Sequence, residues 1–313
     1  MQDRGRGVSF VGMPGVARMA SRFALLAALT MLCGACARLL GARPLATAAA
    51  GETTFHEVAV GVARRGYLLH RPPETSTPLP VFFVLHGTSA NANVVLEESG
   101  MNDVGDSTHA LVVYPNGSAG IPYIRLFWNT EHCCGVQARS GADESGLIRA
   151  IIDSLAAHFS IDRSRVGLIG FSDAGTLAYL LACDDSDVLS AVAVLSGELP
   201  ATRCVPPVGV STLVLHGTAD RNMRYGDTPA RVAEWAKRQR CGGVAVDTIP
   251  SVIRMRYADC ADHAAVELYT IRDGRHAWPG GRRSTPVAPK PTAGVSASRI
   301  FADFVIAHAR VAK

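Results

Sequence analysis

The sequence predicts an α/β fold: a doubly wound, mostly parallel sheet entered through an N-terminal antiparallel hairpin and closed into a single domain. Three observations lead to it. Short apolar runs recur at residues 81–85, 110–114, 166–169, 188–195, 212–215 and 266–271, and they read as strands buried on both faces, as in a parallel sheet. Amphipathic helical patterns separate several of these runs, which is the alternation that winds a sheet on both sides. The chain of 313 residues is 48% apolar and 19% charged, enough to bury a large core, and no repeat or linker divides residues 52–313.

The N-terminus reads as an address. Arg4, Arg6, Arg18 and Arg22 precede the apolar run FALLAALTMLC at 23–33, and the small residues Gly34 and Ala35 follow, the layout of a secretory signal over residues 1–35. Eleven apolar residues fall short of the roughly 20 needed to span a bilayer, so no membrane span is expected, and Met13 or Met19 is an alternative start. Cleavage before Cys36 would instead leave a lipid-anchored cysteine. Residues 36–51 are Ala-rich and are expected to form a tether without structure. The formal charge of +4 comes from 31 basic and 27 acidic residues. Residues 1–35 hold four of those bases and one of those acids, leaving 27 against 26. No basic block remains, which argues against nucleic acid as a partner.

Two of the eight cysteines lie in the signal or at its edge, leaving Cys133, Cys134, Cys183, Cys204, Cys241 and Cys260. With no zinc-type spacing among them, disulfides in an exported protein are the better reading, and no metal is expected. Cys241 with Cys260 is favoured, closing one irregular segment, followed by a pair joining Cys133 or Cys134 to Cys183 or Cys204.

Residues 53–71 alternate as an antiparallel hairpin around Gly61 and Gly66, and residues 72–80 form a loop. Leu147, Ile148, Ile151, Ile152, Leu155, Ala156 and Phe159 recur at helical steps, with Asp143 or Ser145 as cap. Further helices are expected at 174–182, 229–240 and 296–309. The Pro- and Gly-rich stretch 287–296 either borders a cleft or is an exposed linker.

The informative junction is Gly170-Phe-Ser172-Asp-Ala174-Gly175, where an apolar strand turns directly into a helix former. Small neighbours around a Ser at such a turn are what a nucleophile elbow requires, although Ala174 stands where the pattern has Gly. Asp220 follows the apolar run 212–215, and His276 lies in the loop after 266–271. The order Ser172, Asp220, His276 is the chain order of a Ser-acid-His triad on such a sheet, in which His takes the Ser proton and the acid fixes the His tautomer. Asp227 and Asp262 are weaker alternatives for the acid, since neither follows an apolar strand. An oxyanion would need two donors: the backbone N–H of Asp173 and one from Thr88 or Ser89 in the loop after residues 81–85. His86 and His216, at strand ends, read as structural. Trp128 and Trp278 are candidates for a flat apolar substrate surface, with core packing as the alternative for each.

Leu-His-Gly-Thr at 85–88, Trp128-Asn129, Cys133-Cys134-Gly, Asp143-Glu-Ser-Gly, Gly-Phe-Ser-Asp-Ala-Gly at 170–175, His-Gly-Thr-Ala-Asp at 216–220 and His-Ala-Trp-Pro-Gly at 276–280 occur in one order. This combination, over residues 53–310, resembles the LpqC-like polyhydroxybutyrate depolymerase family, which is itself similar to feruloyl and acetylxylan esterases. The resemblance implies a secreted serine esterase of the α/β-hydrolase fold, with Ser172, Asp220 and His276 as triad and no cofactor. Its expected partner is an ester substrate: polyhydroxybutyrate-type oligoesters first, feruloyl or acetyl esters of plant polysaccharide second. A peptidase or a non-catalytic binding protein on the same scaffold are the remaining alternatives. The sequence departs from the family at Asp173-Ala174, where Asn-Gly is usual, and at Asp143-Glu144, where paired Asp is usual. Both departures bear on rate and substrate preference.

Overall fold

Among the described residues ten strands, numbered in chain order, form one sheet in the order β1-β2-β4-β3-β7-β8-β9-β12-β11-β10. The computed structural model describes residues 42–74, 78–130, 140–199 and 204–311, and Arg43–Lys313 fall in one compact unit. The six central strands run parallel: β4 (Leu111–Pro115), β3 (Leu79–Leu85), β7 (Ile161–Phe171), β8 (Ala191–Leu195), β9 (Ser211–Gly217) and β12 (Val266–Ile271). Four of them, β4, β3, β8 and β9, are apolar and buried almost throughout, which is why their runs stand out in the sequence. An antiparallel hairpin closes each side. β1 (Thr53–Val60) and β2 (Ala63–His70) flank β4, while β10 (Val244–Ile249) and β11 (Val252–Tyr257) flank β12.

Helices cover both faces. α1 (Ala92–Ser99), α2 (Met101–Thr108) and α6 (Ala297–Ala307) contribute Val95, Met101 and Phe301 to the apolar core on one face. On the other, α3 (Glu144–Ala156), α4 (Asp173–Asp184) and α5 (Thr228–Arg238) bury Leu147, Ile151, Leu177 and Trp235. The α3 cap is Asp143, whose side chain accepts from the Gly146 N–H at 2.6 Å. Gly100, in the left-handed region at φ 61°, turns α1 into α2. A small hairpin of β5 (Ala119–Ile121) and β6 (Arg125–Phe127) lies apart from the main sheet.

Three expectations are corrected. The tether expected at 36–51 does not hold for residues 43–51: Leu45–Thr47 form a 3-10 turn, Leu45 and Ala48 enter the core, and the Arg43 backbone bonds to Phe55 and His56. Leu45 and Ala48 stand three residues apart, so a 3-10 turn sets both on one face, a period too short to register in the sequence. The expected irregular segment between Cys241 and Cys260 is the β10–β11 hairpin, with the disulfide joining its two ends as expected. Cys183 and Cys204 are bonded to each other rather than to Cys133 or Cys134, because the end of α4 and the loop after β8 lie side by side. Cys133 and Cys134, the signal at 1–35 and Cys36 lie outside the described residues.

Opening the Cys241–Cys260 loop, which spans 19 residues, is expected to lower stability by about 2–4 kcal/mol. Denaturant unfolding of Cys241→Ala/Cys260→Ala beside the parent checks this, and coincident curves would contradict it.

Candidate active site

The loops that follow the parallel strands converge at their carboxyl ends, the edge where sheets of this kind hold ligands. Ser172 follows β7 and begins α4. Its backbone lies at φ 60°, ψ −123°, a conformation an L residue holds at a cost of about 1–3 kcal/mol. The neighbours permit the turn: a Cβ at Gly170 would run into the Ala174 carbonyl, and one at Gly175 would press on Gly197 at 3.1 Å. Gly175, one step later than in the usual pattern, therefore supplies the close approach, and Ala174 is buried in the core. The Ser172 N–H is held by the Leu195 carbonyl of β8 at 2.8 Å.

The three side chains singled out in the sequence form one hydrogen-bonded chain. Ser172 Oγ lies 3.0 Å from His276 Nε2, and His276 Nδ1 lies 2.8 Å from Asp220 Oδ2. A carboxylate only accepts, so Nδ1 carries the proton and Nε2 is left to accept from the Ser172 hydroxyl. Asp220 also accepts the N–H groups of Asn222 at 2.9 Å and Met223 at 3.0 Å. Burial pushes its carboxyl up, but the bond to His276 and the His276 charge, with those two N–H groups, outweigh it and hold Asp220 below the ordinary carboxylate range. The alternatives are elsewhere: Asp227 pairs with Arg231 on the surface, and Asp262 accepts from Gly209, ahead of β9 at the far end of the sheet.

The His276 ring is also stacked on Phe171, with centroids 4.8 Å apart. Phe171 was not singled out in the sequence, although its place between Gly170 and Ser172 is the signal that points to it. Trp278 packs edge-on against Phe171 at 6.1 Å and donates from Nε1 to Ser298 Oγ. Both tryptophans are corrected from substrate surface to core, each being 1% exposed. Trp128 donates to the His86 carbonyl at 2.7 Å and lies against the His86 ring, where it braces the end of β3. His86 is fully buried. Its Nε2 accepts from the Gly117 N–H, so its Nδ1–H donates to Gly87 O, and burial pushes its pKa down to about 4. His216 is likewise bonded on both nitrogens, to Met223 and Thr228, and lowered by burial. Both histidines are structural.

Of the candidate oxyanion donors, Ser89 is corrected: its N–H is committed to the Leu126 carbonyl at 2.8 Å, an anchor across to β6 that the sequence does not reveal. Thr88 remains from that loop. Asp173 opens α4, where N–H groups have no acceptor within the helix and the helix dipole favours negative charge. Its carboxyl is buried beside the Thr88 and Thr130 hydroxyls. Beneath it, the buried pair Arg65–Glu144 at 2.8 Å, with Glu144 also accepting the Asn129 N–H, ties β2 to α3 and to residues 129–130. Beside His276 a cavity of about 270 Å³ is lined by Ala219, Arg221, Asn222, Arg275, His276 and Pro289, so the stretch 287–296 does border the cleft.

Residues 65–204 match the Esterase PHB depolymerase family. The matched segment carries Ser172 and the loop with Thr88, while Asp220 and His276 lie beyond it. The chain is 27% identical to NocK of Nocardia uniformis, a protein assigned as an esterase by its name alone, over 76% of this chain and 77% of that protein. It is 24% identical to the bifunctional acetylxylan esterase/xylanase XynS20E of Neocallimastix patriciarum over 57% of this chain, a region that is 25% of that protein. Among solved structures it resembles an acetyl xylan esterase from Aspergillus awamori, with a TM-score of 0.54 at 12% identity, covering 72% of this chain and 94% of that one. The chain is a relative of carboxylic ester hydrolases with an α/β fold, as its motifs suggest.

Burial raises the Asp173 carboxyl from 3.8 to about 6, the two threonine hydroxyls lowering it and Glu144 adding to the rise. The folded protein therefore binds this proton more tightly than the unfolded chain, and ionisation removes stability as pH climbs from about 4 through 6. Asp173→Asn is expected to change stability little at pH 4 and to raise it by about 1–3 kcal/mol at pH 8, as read by urea unfolding at the two pH values. An equal effect at both would show that the charge is not the cause.

Proposed function

We propose that this chain is an exported serine esterase acting through Ser172, His276 and Asp220. The observation that carries the reading is the hydrogen-bonded chain Ser172–His276–Asp220, built from residues 104 and 56 positions apart in sequence. Ser172 Oγ attacks the ester carbonyl while His276 Nε2 takes its proton, and His276 then passes that proton to the departing alcohol. Asp220 holds the tautomer and stabilises the imidazolium that forms in between. The developing oxyanion faces the N–H groups of Asp173 and Thr88, a kind of contact worth about 10²- to 10³-fold in rate per donor. Water then resolves the acyl-enzyme through the same histidine.

The first substrate class is a short polyhydroxybutyrate-type oligoester. The family match and the modest cavity support it, as does the burial of both tryptophans that would have formed a flat platform for polymer or phenolic rings. Feruloyl and acetylxylan esters are the second class, favoured by the acetylxylan esterase relative. Export rests on the charged, apolar and small-residue order at 1–35 and on two disulfides among the described residues, a pairing typical of oxidising compartments. No helix among the described residues is long and apolar enough to cross a membrane. A lipid on Cys36 is the alternative attachment, and the intact mass of the membrane fraction distinguishes it.

A fluorophosphonate probe is expected to label Ser172 in the folded protein. Ser172→Ala should abolish turnover across a panel of esters, and Asp220→Asn should lower kcat by about 10³- to 10⁴-fold. Peptide substrates are expected to be inert. An unlabelled Ser172 would favour a binding protein on the same scaffold.

A further inference from the structure

The wall of the cleft that holds His276 carries two guanidiniums with nothing to do in the fold. Arg221 follows β9 and Arg275 follows β12, adjacent strands of the sheet, and both line the cavity with Asn222. Both are exposed, and among the described residues neither forms an ion pair nor donates a side-chain hydrogen bond. Arg65 is committed to Glu144, Arg149 to Asp185 and Asp187, and Arg254 to Glu267, while Arg224, Arg240 and Arg272 are exposed without ion pairs among the described residues; what sets Arg221 and Arg275 apart is their place on the wall beside His276. The chain beyond residue 35 is nearly charge-balanced, so the two are not the by-product of a basic surface. Among the described residues no carboxylate is in ion-pair contact with either, although exposed Asp273 stands two positions before Arg275. Asp220 is engaged by His276 and two backbone N–H groups, and the half-buried Glu98, which also faces His276, is bonded to Ser284.

We propose that Arg221, Arg275 and Asn222 form a carboxylate subsite on the leaving-group side, so that the preferred ester is one whose alcohol half is itself a short hydroxy acid with a free carboxylate. This rests on the esterase reading above. His276 delivers its proton to the leaving oxygen, so the wall it shares with the arginines meets the alcohol half, while the Thr88 loop and Asp173 meet the acyl oxygen. Ser172 Oγ bonds to the acyl carbon, the ester C–O bond breaks, and the Oγ proton passes through His276 to the hydroxy acid oxygen. The freed hydroxy acid departs with its carboxylate, and water adds to the acyl-enzyme and restores the Ser172 proton. The subsite directs cleavage to the carboxyl end of an oligoester and disfavours neutral alcohols. Guanidinium–carboxylate pairs are the strong, geometrically specific members of their class.

The test compares kcat/KM for 3-acetoxybutanoate and 3-acetoxybutanamide, and for monomethyl succinate and its amide, in the parent, R221Q, R275Q and R221Q/R275Q proteins. The parent is expected to favour 3-acetoxybutanoate over its amide by about tenfold or more, with the ratio shrinking as salt rises and falling to about one in the double variant. A ratio near one in the parent overturns the proposal, as does an unchanged ratio in the double variant with a wild-type circular dichroism spectrum. A carboxylate preference on the succinate pair instead would place the charge on the acyl half and overturn it too. Fluorophosphonate labelling run alongside separates the two readings: a Ser172 adduct without carboxylate preference defeats the subsite alone, and no adduct defeats the esterase reading and the subsite together.

Discussion

Ser172 holds a backbone conformation that its own chemistry disfavours, and the surrounding structure depends on keeping it there. At φ 60° and ψ −123° the residue would relax if the chain on either side were free. It is not free. β7 is locked between β3 and β8 in parallel register, the Ser172 N–H is tied to β8, and α4 is buried along most of its length. Burying a single Leu or Val side chain contributes about 1.5–3 kcal/mol, so the packing of Leu177 and Leu181 alone outweighs the strain. The helix that anchors the turn also aims its N-terminal N–H groups at the space beside the Ser172 hydroxyl.

The second layer of support is buried and mixes aromatic with polar contacts. Phe171, fixed by Trp278, sets the plane of the His276 ring. The Asp173 carboxyl joins the start of α4 to the Thr88 loop, and the Arg65–Glu144 pair joins β2 and α3 below it. A buried pair of this kind adds little net stability, but removing one partner is costly. What it supplies here is position: Glu144 also holds the Asn129 N–H, next to Thr130, whose hydroxyl stands beside the Asp173 carboxyl. Asp173 and Glu144, the two positions at which the sequence departs from the pattern it resembles, are thus members of one network, with Glu144 adding to the rise of the Asp173 carboxyl.

The parallel core and the three chemical side chains are legible in the sequence because they rest on local signals. A doubly buried strand is apolar throughout, and a nucleophile turn needs small residues at fixed places. What escapes is set by partners distant in sequence. The ordered Leu45–Thr47 turn is stable only because β1 lies beside it. β10 is mostly exposed, so its residues show no buried alternation. Ser89 has the right place for an oxyanion donor, yet its N–H is taken by Leu126, 37 positions later. Trp128 and Trp278 have the right composition for a substrate surface, but their indole N–H groups find buried acceptors at His86 and Ser298, and a satisfied indole can sink into a core.

The order of strands in the sheet has a temporal meaning. β12, the last strand in the chain, inserts between β9 and β11, both of which are made before it. The β10–β11 hairpin can form early, and its disulfide can close within it, but the hairpin has no place on the sheet until β12 arrives. The same strand delivers the loop with His276. A growing or partly threaded chain can therefore carry a complete Ser172 turn while lacking its base, since long-range pairings form late. The hydrogen-bonded chain from Ser172 to Asp220 is therefore completed only when the final strand docks.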